Sequence, residues 1–219
     1  MVRFVVMAAG LATRMKQDKL VLPWKNTTVL GYVLQTLLEA ITLVEQRSQA
    51  VSSLPAATEI YVIARHSIEA YLKEECVRIF NSWGGVWIQV PSPKPLAETI
   101  RLGLQDLNNE VQSIGFLPGD QVGVTAPRLA DCLQQVLQEH PDFLVPTVED
   151  KAISPVFFQR QYVPELLELR GEQGGREVLY RYPERWWNYP VEATFGQDVD
   201  TPEQYHTLWA QNSKGESSE

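Results

Sequence analysis

The first ten residues constrain this chain more than any other stretch. Phe4-Val5-Val6-Met7 is a short apolar run, ended by the small residues Ala8-Ala9-Gly10, and that pattern reads as a buried strand over Arg3 to Met7 followed by a turn. The next recognisable element is a helix. Thr27 or Thr28 can cap it, and Val29, Leu30, Val33, Leu34, Leu37 and Leu38 keep the i, i+3, i+4 spacing of one buried face. Strand, loop, helix is the opening of an α/β domain.

The rest of the chain continues the alternation. Apolar runs predict strands at Glu59–Ala64, Val77–Phe80, Val86–Ile88 after the Gly84-Gly85 turn, Ser113–Leu117, Phe143–Val148 and Val156–Phe158. Helical spacing predicts helices around Ser67–Cys76, over Leu96–Leu107, and over Ala126–Glu139, with Thr125 as cap and Pro127 in the first turn. A short helix opens from the Gly-rich run Gly171–Gly175. Thr201-Pro202-Glu203-Gln204 matches a capping box, so a last helix runs to about Ala210. The stretch 41–58 is ambiguous: its first half could prolong the helix from Val29, whereas Ser52-Ser53-Leu54-Pro55 must break it and marks an exposed excursion. These elements predict a domain over residues 1–211 and a polar, flexible tail over 212–219. Alternating strands and helices imply a mostly parallel sheet covered on both faces, with ligands at the carboxyl ends of the strands. The loops after Met7 and Pro118 are therefore the places to look for chemistry.

Charge and cysteine usage narrow the function classes. Lys plus Arg total 19 against 27 Asp plus Glu, a net charge of -8, which repels a phosphate polyanion and makes nucleic acid a poor partner. Cys76 and Cys132 form no C-x-x-C pair and read as reduced, buried thiols rather than a disulfide or zinc site. The run Phe4–Ala12 after Arg3 superficially copies a signal peptide, but it stops near Arg14 and falls far short of the roughly 20 residues that span a bilayer. No membrane association and a cytoplasmic address are expected. The histidines His66, His140 and His206 are scattered and polar-flanked, which suits surface or cap roles. Trp186 and Trp187 lie in an Arg- and Tyr-rich patch, either core and rim packing or a platform for a flat ring.

The first loop carries the sharpest chemistry. Small residues at Ala8, Ala9 and Gly10 let backbone N–H groups approach a ligand, and Arg14 and Lys19 bring two positive charges to the same loop, a combination suited to a polyphosphate. Neither the G-x-x-x-x-G-K-[ST] spacing nor G-x-G-x-x-G is present. A plain glycine turn with solvated cations is the alternative.

Val6-Met7-Ala8-Ala9-Gly10 through Arg14-Met15, then Lys19-Leu20-Val21-Leu22-Pro23-Trp24, resembles the signature L-A-A-G-x-S-x-R-M-G-x-x-K-x-L-L-P-W of the MobA-like molybdenum cofactor nucleotidyltransferases, especially their cytidylyltransferase branch. Further blocks follow in order over residues 3 to about 208. Leu117-Pro118-Gly119-Asp120-Gln121 is similar to the family's G-D-Q-P, Ser154-Pro155-Val156-Phe157-Phe158 to its H-P-V-L-F, Gly171-Glu172-Gln173-Gly174-Gly175-Arg176 to its G-D-x-G-A-R, and Asp198-Val199-Asp200-Thr201-Pro202-Glu203 to its D-I-D-T-P-E. The chain departs from the pattern at Lys16 (family Gly), Val122 (Pro), Thr99 (often Ser) and Lys151-Ala152-Ile153-Ser154, which replaces an Arg-Gly-His beside the acceptor.

The resemblance implies a Rossmann-like, three-layer α/β/α nucleotidyltransferase that joins CMP from CTP to molybdopterin and releases pyrophosphate, with Mg²⁺ as cofactor and a molybdenum hydroxylase downstream. It implies that the backbone from Ala8 to Leu11 faces base and ribose, that Arg14 and Lys19 grip the triphosphate, and that Asp120, with Asp198 or Asp200, holds the metal. Lys151, Ser154 and Arg176 fall on the acceptor side. Pro95-Leu96-Ala97 is similar to the G-P-L-A of the guanylyl branch, while Ala9 in place of Gly leans to the cytidylyl branch. Transfer of GMP or another nucleotide, a sugar or alcohol phosphate as acceptor, and a non-catalytic cofactor carrier stay open as alternatives. Simpler roles stay open too, Asp120 as a turn residue and Asp200 as a charge before a helix N-terminus.

Overall fold

The computed structural model describes residues 1–10, 15, 18–49 and 58–215. Its first strand, β1 (Val2–Ala8), organises the rest. Side chains alternate across a strand, so Val2, Phe4, Val6 and Ala8 enter one core while Val5 enters a second on the opposite face. A strand buried on both faces is apolar along most of its length; the exception, Arg3, is fully buried but pairs with Glu59 at 2.6 Å and donates to Gln105 O (2.6 Å) and Asp106 O (3.1 Å).

Beyond β1 come a small hairpin of β2 (Pro23–Trp24) and β3 (Thr27–Thr28), helix α1 (Val29–Gln49), β4 (Thr58–Ala64), α2 (Glu74–Ser82), β5 (Val86–Gln89) and α3 (Leu96–Gly103). The second half holds β6 (Ser113–Pro118), α4 (Ala126–Glu139), β7 (Phe143–Val148), β8 (Lys151–Ala152), β9 (Val156–Gln159), α5 (Val163–Glu168), α6 (Gly175–Leu179), β10 (Trp186–Pro190) and α7 (Pro202–Gly215). The main sheet has the order β10-β7-β9-β6-β1-β4-β5, with β8 added to β7. Pairs β1–β4, β1–β6, β4–β5 and β7–β10 are parallel, whereas β9 runs antiparallel to both β6 and β7. Buried residues of α1, α2, α4 and α7 join the core on one face, and those of α3, α5 and α6 fill the other. The result is the three-layer α/β/α arrangement with a mostly parallel sheet.

Local chemistry accounts for the element ends. The Thr28 hydroxyl accepts a hydrogen bond from Gly31 N at 3.0 Å and so caps α1. At α7 the box closes reciprocally, with Gln204 N donating to Thr201 Oγ1 (3.2 Å) and Thr201 N donating to Gln204 Oε1 (2.9 Å). Thr125 occupies the N-cap position of α4 without a side-chain bond. At the other end of α4, His140 adopts a left-handed conformation (φ 49°, ψ 47°), which costs a non-glycine residue. Replacing His140 with Gly is expected to raise stability by about 0.5–1 kcal/mol, read as a higher urea midpoint.

Several expectations are corrected. Residues 77–80 are helical, within α2, and not a strand; the predicted helix at 67–76 is instead a 3₁₀ turn at Ile68–Ala70 followed by the first residues of α2, Glu74 to Cys76. Glu74 and Glu75 stand in the first turn of α2, where acidic charge is favoured, and Phe80 is buried edge-on against Trp87 at 6.1 Å. Gly85 admits that ring, since a Cβ there would lie 2.4 Å from it. Helix α3 stops at Gly103, short of Leu107, and Asp106 is left-handed (φ 47°). Helix α7 continues to Gly215, beyond the end expected at Ala210 and into the segment expected to be a flexible tail, because extending a nucleated helix is easier than starting one. Residues 216–219, and 50–57 of the expected excursion, lie outside the described residues. Cys132 is buried and its thiol is pushed up to about 12 by desolvation, while Cys76 is only half-buried. Among the described residues no helix is long and apolar enough to cross a membrane.

Candidate active site

The carboxyl ends of β1 and β6 lie side by side, with Met7 opposite Pro118. Gly119 N donates to Met7 O at 3.0 Å, and a Cβ on Gly119 would stand 3.1 Å from Ala8 Cβ. This approach brings the loop after β6 directly over the loop after β1. Ala8 and Gly10 line a cavity of about 140 Å³ together with Asp18, Lys19 and Asp120. Among the described residues, an added Cβ on Gly10 would meet nothing within 4 Å. Ala9 faces the second core instead, and its carbonyl is used by Lys94 N at 3.0 Å. Leu11 and Arg14, the other expected nucleotide-binding residues of this loop, lie outside the described residues.

Lys19 opens a 3₁₀ turn (Lys19–Val21) and reaches two carboxylates. Its Nζ pairs with Asp120 Oδ2 and, at 2.8 Å, with Asp200 Oδ1. Burial acts to lower the Lys19 pKa, but the charges and hydrogen bonds of Asp120 and Asp200 outweigh it and hold the ammonium above its usual range.

The two acidic segments, far apart in sequence, are joined through their backbones. Gly123 N donates to Gln197 O (2.9 Å) and Val199 N donates to Asp120 O (3.1 Å). Val199 is fully buried and anchors the segment, with Asp198 and Asp200 on either side of it. Gly123 is a glycine because a Cβ would fall 1.9 Å from Thr194 O. Burial, then repulsion from Asp200 and Asp120, raises the Asp198 carboxyl above its ordinary range, partly offset by Lys19.

Asp120 also lines a second, larger cavity of about 520 Å³. Asp198, Ser154 and Arg176 line it as well, and Phe116, Phe158 and Leu96 give it apolar walls. Met7 and Asp120 are common to both cavities, so this carboxylate stands where they meet. Gln121, buried beside it, donates from Nε2 to Ser154 O (2.5 Å) and Phe195 O (3.1 Å) and ties the cavity's two rims together. Lys151 is exposed on β8 and lines neither cavity. Trp186 and Trp187 lie on the edge strand β10, also away from both.

The sequence reading missed Asp18, Gln121 and the aromatic pair Phe116 and Phe158. The aromatics read simply as strand core. Their ring contact at 5.5 Å does belong to the second core, and only the packing shows that the same rings face a void.

The residues present suit a divalent cation. Asp120 and Asp200 pair with one lysine, Asp198 is raised by burial first and then by repulsion from both of them, and Mg²⁺ takes oxygen ligands with as few as one or two protein carboxylates. Among the described residues no group of three or more His, Cys, Asp or Glu side chains is arranged to hold a metal alone, so phosphate and water oxygens would complete the shell.

A family model described as the MobA-like NTP transferase domain matches residues 4–186. No curated protein sequence matches the chain. Among solved structures it is similar to Rv0371c from Mycobacterium tuberculosis H37Rv, with a TM-score of 0.70 and 21% identity over 95% of this chain and 97% of that one. A structure of the same mycobacterial protein in complex with manganese gives 0.65 and 21% over 95% and 98%. A nucleotidyl transferase from Methanothermobacter, Mth528, gives 0.69 and 16% over 98% and 99%. The molybdopterin-guanine dinucleotide biosynthesis protein A of Archaeoglobus fulgidus gives 0.60 and 15% over 98% and 100%. At these identities the likenesses establish a shared fold.

Proposed function

The chain belongs to the MobA-like NTP transferase domain family, a class of nucleotidyltransferases, and we propose that it transfers CMP from CTP to the terminal phosphate of molybdopterin, releasing pyrophosphate. The observation that carries this reading is the meeting of two cavities at Asp120. The smaller has the cation and small residues suited to a triphosphate, and the larger has the apolar walls and the Arg176 guanidinium suited to a flat acceptor bearing a phosphate.

In the reaction, a phosphate oxygen of the acceptor attacks the α-phosphorus of CTP, a new P–O bond forms, the bond to the β-phosphate bridging oxygen breaks, and pyrophosphate leaves. The nucleophile is already anionic at neutral pH, so no protein base is needed; alignment and charge neutralisation are. Lys19, and Arg14 from the same loop, neutralise the triphosphate, and Ala8 and Gly10, which line the smaller cavity, receive the nucleoside. Asp120 and Asp198 would hold Mg²⁺, which when bound offsets charge on the phosphates. Asp200 fixes Lys19 in the position given by their 2.8 Å contact. Ser154 and Arg176 orient the acceptor from the far side of Asp120. Cytosine is preferred on the resemblance of Ala9 to the cytidylyl branch, and molybdopterin on the resemblance of the motif blocks; the A. fulgidus protein, by its description, belongs to molybdopterin-guanine dinucleotide biosynthesis.

Incubating the purified protein with Mg²⁺, molybdopterin and each of CTP, GTP, UTP and ATP tests the reading. Pyrophosphate release is expected with CTP and not with the others. Release with GTP alone would move the donor to guanine, and release only with a sugar or alcohol phosphate would remove molybdopterin. A protein that carries a pterin but releases no pyrophosphate with any nucleotide would be a carrier and not an enzyme.

A further inference from the structure

Asp18 is an unexpected lining residue for a triphosphate pocket, because a carboxylate there repels the ligand. Its two oxygens are both engaged elsewhere. Oδ1 accepts from Leu20 N at 3.0 Å and so caps the 3₁₀ turn that begins with Lys19. Oδ2 lies 3.0 Å from His66 Nε2 and 3.9 Å from Arg65, the two residues that follow β4. A carboxylate only accepts, so Nε2 of His66 is the nitrogen that carries the proton. His66 is itself held from two sides: its carbonyl accepts from Trp87 Nε1 at 3.0 Å, and its ring packs on Tyr71 with centroids 5.9 Å apart.

A continuous chain of contacts therefore runs from β5 and the end of β4, through His66 and Asp18, to the backbone of the turn that aims Lys19. We infer that His66 is a positioning residue for nucleotidyl transfer, setting the Lys19 ammonium against the triphosphate by clamping Asp18 and turning that carboxylate's charge away from the cavity. This inference rests on the nucleotidyl-transfer reading above. It gives a role to a histidine whose polar neighbours suggested a surface or cap one, and His66 lines neither cavity among the described residues.

His66→Phe keeps the ring against Tyr71 but removes the N–H, His66→Gln restores an N–H of similar reach, and Asp18→Ser keeps the cap on Leu20 but cannot reach His66. With pyrophosphate release as readout, His66→Phe and Asp18→Ser are expected to lower kcat/KM for the nucleotide by roughly tenfold. KM for the acceptor should not change, the double variant should be no worse than either single one, and His66→Gln should recover most of the loss. Additive losses, or a loss in His66→Phe that Gln does not relieve, would overturn the clamp. If the wild-type protein turns over no nucleotide, the functional reading fails, and the clamp is then judged by calorimetric binding of pyrophosphate alone. Weaker binding in His66→Phe and Asp18→Ser, restored in His66→Gln, would uphold it; unchanged binding in all three would overturn it.

Discussion

Asp120→Asn is expected to lower pyrophosphate release by roughly 10²- to 10³-fold, the scale of losing one preorganised group from a charge-stabilising site. Asp120 is the point where the two cavities meet and a partner of Lys19, so in the proposed reaction its charge would face both substrates. The substitution leaves the fold in place. Its backbone carbonyl still accepts from Val199 N, Lys19 keeps Asp200, and the amide occupies the same volume as the carboxyl. Circular dichroism and the urea midpoint should match those of the parent protein. Turnover within about twofold of the parent would remove Asp120 from the mechanism.

Gly123→Ala should have the largest effect on stability of the substitutions considered. The added methyl would lie 1.9 Å from Thr194 O and 2.8 Å from Gln197 N. Both are backbone atoms, so a whole segment has to retreat and not merely a side-chain tip. A cost at the upper end of overpacking, about 2–3 kcal/mol, is expected from urea unfolding. The same retreat pulls the Gln197–Asp198 backbone away from Asp120, so turnover should fall more than stability alone explains. Gly10→Ala is the control: an added methyl there meets nothing within 4 Å among the described residues, and its stability should stay within about 0.5 kcal/mol of the parent. A Gly123→Ala protein of unchanged stability would mean that the loop and the 194–197 segment yield easily to one another.

The contrast between these glycines shows what a linear chain reveals. Gly10 is legible, because a small residue after an apolar strand announces a loop. Gly123 is not, because its reason for being glycine is a carbonyl some seventy residues away. The same holds for the strands. Val156–Gln159 is recognisable as a strand from its apolar run, but its reversed direction within the sheet depends on connection length. Residues 149–155 are too few to carry the chain back for a parallel pairing with β7, which needs a dozen or more, so the signal was present in the spacing. Val77–Phe80 was misread because three apolar residues in four look like a strand, and the acidic pair before them outweighs that pattern. Strand β10 went unread because Trp186 and Trp187 sit in an Arg- and Tyr-rich patch without apolar alternation; its Pro190 is tolerated because the strand lies at the edge of the sheet. Asp120, Asp198 and Lys19 stood out as chemistry-bearing residues, but their assembly depends on the Gly123–Gln197 and Asp120–Val199 backbone bonds, which no local pattern encodes.

The placement of Lys19 between Asp120 and Asp200 has a consequence for how the protein reaches its working state. A chain that carries an internal counter-ion can complete folding before it meets a metal, because part of the mutual repulsion of its acids is already relieved. A divalent ion held by Asp120 and Asp198 would then enter a pocket that is already folded, with Lys19 kept by Asp200 and its remaining donors available to phosphate.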